Sequence, residues 1–557
     1  MLSQAKNNRF LPFILAVTGG VLLWLAWPTM PTAFLVFIAL TPYFALEDVV
    51  LNRYENSSYK LTLFSFLLFG IWNILTTYWI WFASPGGAIG AIVLNSWLMT
   101  LPVWLSHRVR RFLGRRAGYA ALVSLWLLLE LIHLNWDAPW PWLVLGNVFA
   151  MFPNWVQWYE YTGSLGGTLW VWLINILIYN AFLKKYFSGN TYMEGAKNTS
   201  SHNITNIALV LGGIALPVII SYMVKPADVS LDESRNVVVV QPNIDPYETK
   251  FDAATYEDQL RQLIAMSESK MDENTALVVW PETAIAESID EANMMLYLPV
   301  MAIQSFLRRH PQAKLISGAN TYSVYGNNSK ASPTARKYRD ADIYYDRFNS
   351  AILLDTGKHF EIYYKSKLVP LVEKTPYPEL LGFLNNLVID MGGPSGSMGS
   401  QDSAGVFKAG NGIVAAPIIC YESIFGDYVN DFVQKGANII TIITNDGWWE
   451  NTPGHKQHLN YAVLRAIETR RFIARSANTG ISCYILPNGK ILQPTKYWEP
   501  AVLKSGIYIN NDKTFYTIYG DYIGVFAKYL SFIFLFLAFF GGILRKRLFG
   551  GQTLAGQ

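Results

Sequence analysis

Eight long apolar runs constrain this chain more than any other feature, because nearly uncharged stretches of about 20 residues match a bilayer core. Seven crowd the first 225 residues, at about 10–27, 31–47, 61–82, 87–106, 119–136, 163–183 and 205–223, and one stands alone at about 523–544. All are too long and too evenly apolar for the amphipathic helices of a soluble core, so the expectation is eight transmembrane helices. The first run follows Lys6 and Arg9 as a signal peptide would. Another run opens just beyond Pro28 with no small-residue cleavage site between, so the first is expected to be retained.

Orientation follows from the basic loops, which resist translocation. One alternate set of connections holds Lys6, Arg9, Arg53, Lys60, five arginines between Arg108 and Arg116, Lys184, Lys185, Lys197, Arg545, Lys546 and Arg547. The opposite short loops, 28–30, 83–86 and 135–162, hold no Lys or Arg. Both termini are therefore expected in the cytoplasm and residues 225–522 on the outer face. Glu130 and His133 are the ionisable residues expected inside spans. Near the fifth span's outer end, they read as snorkelling groups beside an anchor of Trp136, Trp140 and Trp142, or as a headgroup-level contact for a lipid or the outer domain.

Residues 225–522 differ in kind, being charged and punctuated by Gly and Pro. Six β-branched runs recur there: NVVVVQPN, ALVVWPET, KLISGAN, SAILLD, IVAAPIICYES and NIITIITND. Helix-like stretches lie between some of them, including YEDQLRQLIAMSESKM, NMMLYLPVMAIQSFLRR and HKQHLNYAVLRAIETRRFIARS. Nearly continuous apolar strands alternating with helices predict an α/β sheet covered on both faces. The expected division is therefore 1–224 as seven spans, 225–522 as an outer catalytic domain, and 523–557 as the eighth span with a tail. The chain's net charge of +4 is too dilute to point to nucleic acid.

Functional residues gather where the strands of such sheets end. Glu282 follows ALVVWP, Cys420 closes IVAAPII, and Lys365 lies in EIYYKSKLVP after an expected hairpin near Asp355–Gly357. A thiol with an ordinary pKa of about 8.5 needs a base or a cation to become a good nucleophile. Glu282 can take its proton, while Lys365 and the Tyr421 N–H can stabilise an oxyanion. Taken singly, each residue has a plain structural role: core thiol, helix cap or edge charge.

WPETAI, YYKSKLVP and ICYES, in that order, resemble the Glu-Lys-Cys motifs of the nitrilase superfamily. Seven spans before such a domain and one after it resemble the bacterial apolipoprotein N-acyltransferase family, as do TNDGWW at 444–449, QHL, RAIETRR and SANTGIS. The resemblance implies an αββα sandwich on an eight-span frame, in the inner membrane, with a periplasmic catalytic domain. It implies Glu282, Lys365 and Cys420 as catalytic residues, selecting Lys365 over Lys367, with Glu373 supporting the lysine and Tyr421 and Glu422 near the substrate. It implies a phospholipid acyl donor, a diacylglyceryl apolipoprotein acceptor, a thioester intermediate, and no metal, nucleotide or organic cofactor. Three positions depart from the family pattern: no glycine precedes Glu373, Phe251 replaces a tryptophan, and His133 stands where an arginine is expected.

The stretch 374–400 puts Leu380, Leu381, Phe383, Leu384 and Leu387 before a Gly/Ser-rich run, the pattern expected of a lipid-facing lid or of a loop packed on itself. Alternatives to acyl transfer are a membrane-tethered amidase or carbamoylase with the same triad, and a non-catalytic lipid transporter or receptor. A papain-like pairing of Cys420 with His455 or His458 is a further option, though these two histidines read better as core or helix-start residues. Cys483 in ISCYIL reads as an inert core thiol.

Overall fold

The computed structural model describes residues 8–188, 200–326, 332–338, 343–357, 359–377, 379 and 397–549. The first apolar run forms α1 (Leu11–Ala26), whose 16 residues fall short of a full crossing by length. Six helices long and apolar enough to span follow: α2 (Ala33–Arg53), α3 (Ser57–Thr77), α4 (Pro85–Leu113), α5 (Arg115–Asn135), α6 (Tyr159–Phe187) and α7 (Ser200–Val224). The short second run thus belongs to a full-length helix, and the first run yields the short one. Among the described residues seven helices meet the length and composition of a span, the last being Tyr522–Phe549 near the C-terminus.

Because α2 continues to Arg53, it carries more charge than Glu130 and His133 alone would suggest. Asp48 accepts from Arg110, from Arg115 at 2.9 Å and from the Tyr179 hydroxyl at 2.7 Å. Glu47 pairs with Arg110 and sits 3.2 Å from His107. Pairing and hydrogen bonding are what make such buried charges tolerable.

Glu130 does not snorkel. It is buried and accepts hydrogen bonds from the Trp126 indole at 2.9 Å, the Leu145 N–H at 2.9 Å and the Thr168 hydroxyl at 2.7 Å. It therefore ties α5 to α6 and to the turn between them. His133 is buried beside Trp136, whose ring lies edge-on at 5.3 Å. Trp140 and Trp142 stack on each other at 5.6 Å and belong to the functional cavity below, not to an interfacial belt.

The region between the seventh helix and the C-terminal one is built from two sheets with helices outside both. The first contains β1 (Asp232–Gln241), β2 (Thr275–Val279), β3 (Ile285–Asp290), β4 (Lys314–Val324), β5 (Arg336–Lys337), β6 (Tyr344–Leu354), β7 (Phe360–Tyr364) and β14 (Ala501–Ile507). Its main path runs β14-β1-β2-β4-β6-β5, with β3 on β4 and β7 on β6. The second runs β13-β12-β11-β10-β9-β8, from β8 (Phe407–Gly410), β9 (Ile413–Ile419), β10 (Ile439–Thr444), β11 (Phe472–Ala477), β12 (Cys483–Ile485) and β13 (Ile491–Leu492).

Alternate residues of β1 explain its unbroken valine run. Val237 and Val239 share a core with Ile418, Ile440 and Ile442 of the facing sheet. Val238 and Val240 point the other way, toward α8 (Tyr256–Glu268) and α9 (Leu298–Arg309), joining Leu263, Ile303 and Phe306. A strand buried on both faces needs no polar alternation. Outside the second sheet pack α10 (Gly426–Gln434) and α11 (Pro453–Thr469), completing an αββα sandwich. The Tyr522–Phe549 helix, α12, follows this domain and packs on α5.

One helix prediction overran. α11 ends at Thr469, Arg470 turns left-handed with φ 53°, and Phe472–Ala477 is the strand β11. Arg471 and Arg475 give RFIARS a helix-like polarity, yet both are buried, with guanidinium groups bonded to the Ala437 carbonyl and to Asp446.

Candidate active site

Glu282, Lys365 and Cys420 converge although 83 and 55 residues separate them in sequence. The Lys365 Nζ lies 3.2 Å from Glu282 Oε1 and 2.8 Å from Glu373 Oε1. All three side chains and Glu373 line one cavity of about 740 Å³ of free space, its open mouth included.

Cys420 and Glu282 stand at strained or tightly packed turns. Cys420 follows β9 with φ 48°, in the left-handed region that an L-residue seldom adopts, so its thiol is thrown outward at the strand end. Thr283, just after Glu282, also has a left-handed φ of 49°. That turn presses on β4 at Gly318, where an added Cβ would meet the Glu282 Cα at 2.6 Å. The glycine of KLISGAN is therefore what lets the carboxylate approach.

Asn349 of β6 is the organising residue that sequence reasoning missed. Its backbone carbonyl accepts the Lys365 N–H at 2.9 Å, and its side-chain amide donates to Glu282 at 2.8 Å and Glu373 at 3.1 Å. A buried asparagine inside the run RFNSAILL was the available signal, since a central strand position is otherwise apolar. Glu282 Oε2 also accepts the Asn445 N–H at 3.1 Å, so the carboxylate is held from both sheets.

The remaining expected residues have distinct places. Glu373 Oε2 accepts the Val369 N–H at 2.8 Å; without a glycine at 372, its turn places Leu371 at φ 63°. Tyr421 is buried, donates its hydroxyl to the Pro139 carbonyl at 2.7 Å and lies parallel to Trp140 at 6.5 Å, tying the cysteine turn to the membrane half. Glu422 is fully buried and does not line the cavity. It accepts from Tyr363 at 2.6 Å, Ser366 N–H at 2.7 Å and Ile419 N–H at 2.9 Å, lashing the lysine segment to the cysteine turn. Burial pushes its carboxyl up to about 7 against those donors. Leu380, Leu381, Phe383, Leu384 and Leu387 lie outside the described residues.

The competing assignments separate cleanly. The Lys367 ammonium sits over Phe425 and Tyr428, at 5.4 and 5.2 Å from their ring centres. His458 Nε2 lies 3.1 Å from the Cys420 carbonyl oxygen and 2.9 Å from Ser423, while its Nδ1 faces Asp446 at 2.9 Å. It braces the backbone of the cysteine turn. His455 stacks on Tyr497 at 4.1 Å. Cys483 is buried in β12, and both cysteines are free thiols. Phe251 stacks on Trp448, a cavity-lining residue, at 6.3 Å, so an aromatic contact exists there without the family's tryptophan.

Electrostatics set the resting protonation. Burial, then the neighbouring Glu282 carboxylate, hold the Cys420 thiol far above its ordinary value, with Lys365 pulling back. Burial alone would depress the Lys365 ammonium, but Glu282 and Glu373 outweigh it and hold the pKa well above the usual lysine value. The site therefore rests as thiol and ammonium.

Lys250 has the opposite balance. Fully buried, with no hydrogen-bond partner for Nζ among the described residues, it is brought down to about 7 by burial, Glu282 opposing. Its unfolded form binds a proton up to the ordinary lysine value near 10.4, so stability rises with pH from about 7 toward 10. Lys250→Met is expected to raise the melting temperature, most at and below pH 7, and to flatten that rise. Melting curves of both proteins across pH 6–10 check it, and a variant that melts lower than wild type at pH 7 contradicts it.

The Carbon-nitrogen hydrolase family model matches residues 236–510, the stretch that carries Glu282, Lys365 and Cys420. The Apolipoprotein N-acyltransferase N-terminal domain model matches residues 19–177. The chain belongs to the apolipoprotein N-acyltransferase family. It is 29% identical to the apolipoprotein N-acyltransferase of Chlorobaculum tepidum over 92% of this chain and 93% of that one. The corresponding figures for the Geobacter metallireducens protein of that name are 28%, 91% and 92%. Among solved structures, an amidase from Nesterenkonia sp. aligns with 52% of this chain and 94% of its own, at 15% identity and a TM-score of 0.32. With its apolar helices, the protein is a bacterial membrane protein.

Proposed function

We propose that this acyltransferase moves an acyl chain from a membrane phospholipid, through a thioester on Cys420, to the α-amine of an N-terminal diacylglyceryl-cysteine on an apolipoprotein. The supporting observation is a single cavity with two kinds of wall. Glu282, Lys365 and Cys420 form one side, and Trp79, Ile80, Trp140 and Trp142 of the membrane half form the other. Apolar walls reaching the thiol suit an acyl chain drawn from the bilayer.

In the first half-reaction the Cys420 sulfur attacks the ester carbonyl as Glu282 takes the thiol proton. Lys365 and the Tyr421 N–H stabilise the oxyanion. The intermediate collapses to a thioester, and Glu282 returns the proton to the departing lysophospholipid oxygen. In the second, the α-amine attacks the thioester carbonyl, Glu282 takes the amine proton, and the sulfur leaves and is reprotonated. The ester's energy carries both steps.

The basic loops support both termini in the cytoplasm. Residues 225–522 are then the periplasmic catalytic domain at the inner membrane, held by spans in 1–224 and 523–557. A tethered amidase acting on a soluble amide leaves the tryptophan wall without a use.

Intact-mass spectrometry after incubation with one defined phospholipid tests the proposal. The wild-type protein is expected to gain one acyl mass on Cys420 and release it to a diacylglyceryl peptide, while Cys420→Ala gains none. Sustained transfer without the adduct overturns the covalent route.

A further inference from the structure

Three tryptophans of the cavity wall, Trp79, Trp140 and Trp142, come from the membrane half, yet two of them are held by a residue of the outer domain. Gln457 lies in the first turns of α11 and is 2% exposed. Its Oε1 accepts the indole N–H of Trp142 at 2.7 Å and of Trp79 at 3.2 Å. Its Nε2 donates to the Pro28 carbonyl at 2.9 Å and the Thr76 carbonyl at 3.3 Å. Indoles only donate and carbonyls only accept, so one amide orientation satisfies all four partners. Those partners belong to three separate stretches of the membrane half.

The neighbouring residue faces the reaction centre. His458 braces the Cys420 carbonyl at 3.1 Å and packs against Trp142 and Trp449, with ring centres at 6.0 and 5.6 Å. Consecutive residues of one helix thus hold the cavity wall and the nucleophile's turn. Trp79 and Trp142 lie 4.7 Å apart and both touch Trp449, at 4.8 and 5.8 Å. At the start of α11, Gly454 lets the Trp79 ring pack down, since a Cβ there would meet it at 2.7 Å.

We propose that Gln457 is a positioning residue for acyl-chain selectivity: by anchoring the Trp79 and Trp142 indoles it sets the depth and shape of the acyl cavity relative to the Cys420 thiol. The inference rests on the acyl-thioester function proposed above. Hydrophobic pockets discriminate by shape at about tenfold or more per methylene, so a tilted indole is read out as altered chain-length preference.

The test is the ratio of initial Cys420 acylation rates for two phospholipids that differ only in acyl length, measured by intact mass in the full-length protein. Gln457→Leu leaves the Trp142 indole without its acceptor and the Trp79 indole with only the Thr76 carbonyl, at 3.1 Å, and its ratio is expected to shift by about tenfold. Gln457→Glu keeps the accepting oxygen for both indoles, and its ratio is expected to stay within about twofold of wild type even where both rates fall. A purely structural role lowers both rates together and leaves the ratio unchanged in either variant. An unchanged ratio in Gln457→Leu, or an equal shift in Gln457→Glu, overturns the proposal. If Gln457→Leu does not fold, Trp142→Phe decides: it keeps a ring but loses the N–H that Gln457 holds, so the ratio is expected to move, and an unmoved ratio overturns the proposal. A wild-type protein that never forms the acyl adduct refutes the underlying function instead, and that result is visible before any variant is made.

Discussion

Glu282→Gln is expected to slow formation of the Cys420 acyl adduct by about 10³-fold or more, the upper range for loss of a positioned general base. In the native site every group around the carboxylate donates: Lys365 at 3.2 Å, Asn349 at 2.8 Å and the Asn445 N–H at 3.1 Å. A glutamine must turn its own NH₂ toward one of these donors and cannot accept the thiol proton. The thiol is already held far above its ordinary pKa, so it ionises little unaided. Quenched-flow mass spectrometry of adduct formation measures the effect. Acylation at the wild-type rate in Glu282→Gln would mean that another group takes the proton.

Lys365→Met is expected to be the most damaging change to the folded state. The ammonium is 1% exposed and lies between two carboxylates that both bond to Asn349. Without it, two buried negative charges face each other uncompensated, a loss of about 3–5 kcal/mol where one partner of a buried pair is removed. The pH dependence identifies the cause. Because the native pKa of Lys365 is raised, its stabilising contribution is complete below the ordinary lysine value and fades only as pH climbs through the raised one. The wild-type contribution is therefore flat through neutral pH. In the variant a carboxylate regains stability by protonating, so the deficit is expected to narrow as pH falls from 8 toward 5. Denaturant titrations in detergent at several pH values follow it, and a deficit independent of pH points to lost packing instead.

The Glu-Lys-Cys cluster was legible because strand ends leave a strong local signature: an apolar run closing on one reactive side chain, as in ALVVWPE and IVAAPIIC. The β1 valines likewise announced a strand covered on both faces. Arg471 and Arg475 hid a strand, because the groups that hold them, the Ala437 carbonyl and the Asp446 carboxylate, lie outside that strand. Glu422 looked like a cavity residue by position, but the donors that claim it come from the lysine segment 56 residues away and from Tyr363. Glu130 looked interfacial for the same reason, since Thr168 is 38 residues distant.

By itself, the sequence determined the apolar helices, the α/β domain and which carboxylate, amine and thiol to look for at its strand ends, since hydropathy, strand pattern and motif order are local properties of the chain. Only the tertiary structure decided that Asn349 holds both carboxylates, that Glu422 ties two loops together, and that Gln457 bonds the Trp79 and Trp142 indoles of the membrane half, which line the cavity holding Cys420. Each of those is a hydrogen bond between groups distant in sequence. Such a bond needs a particular separation and angle, and those exist only once the two halves have packed.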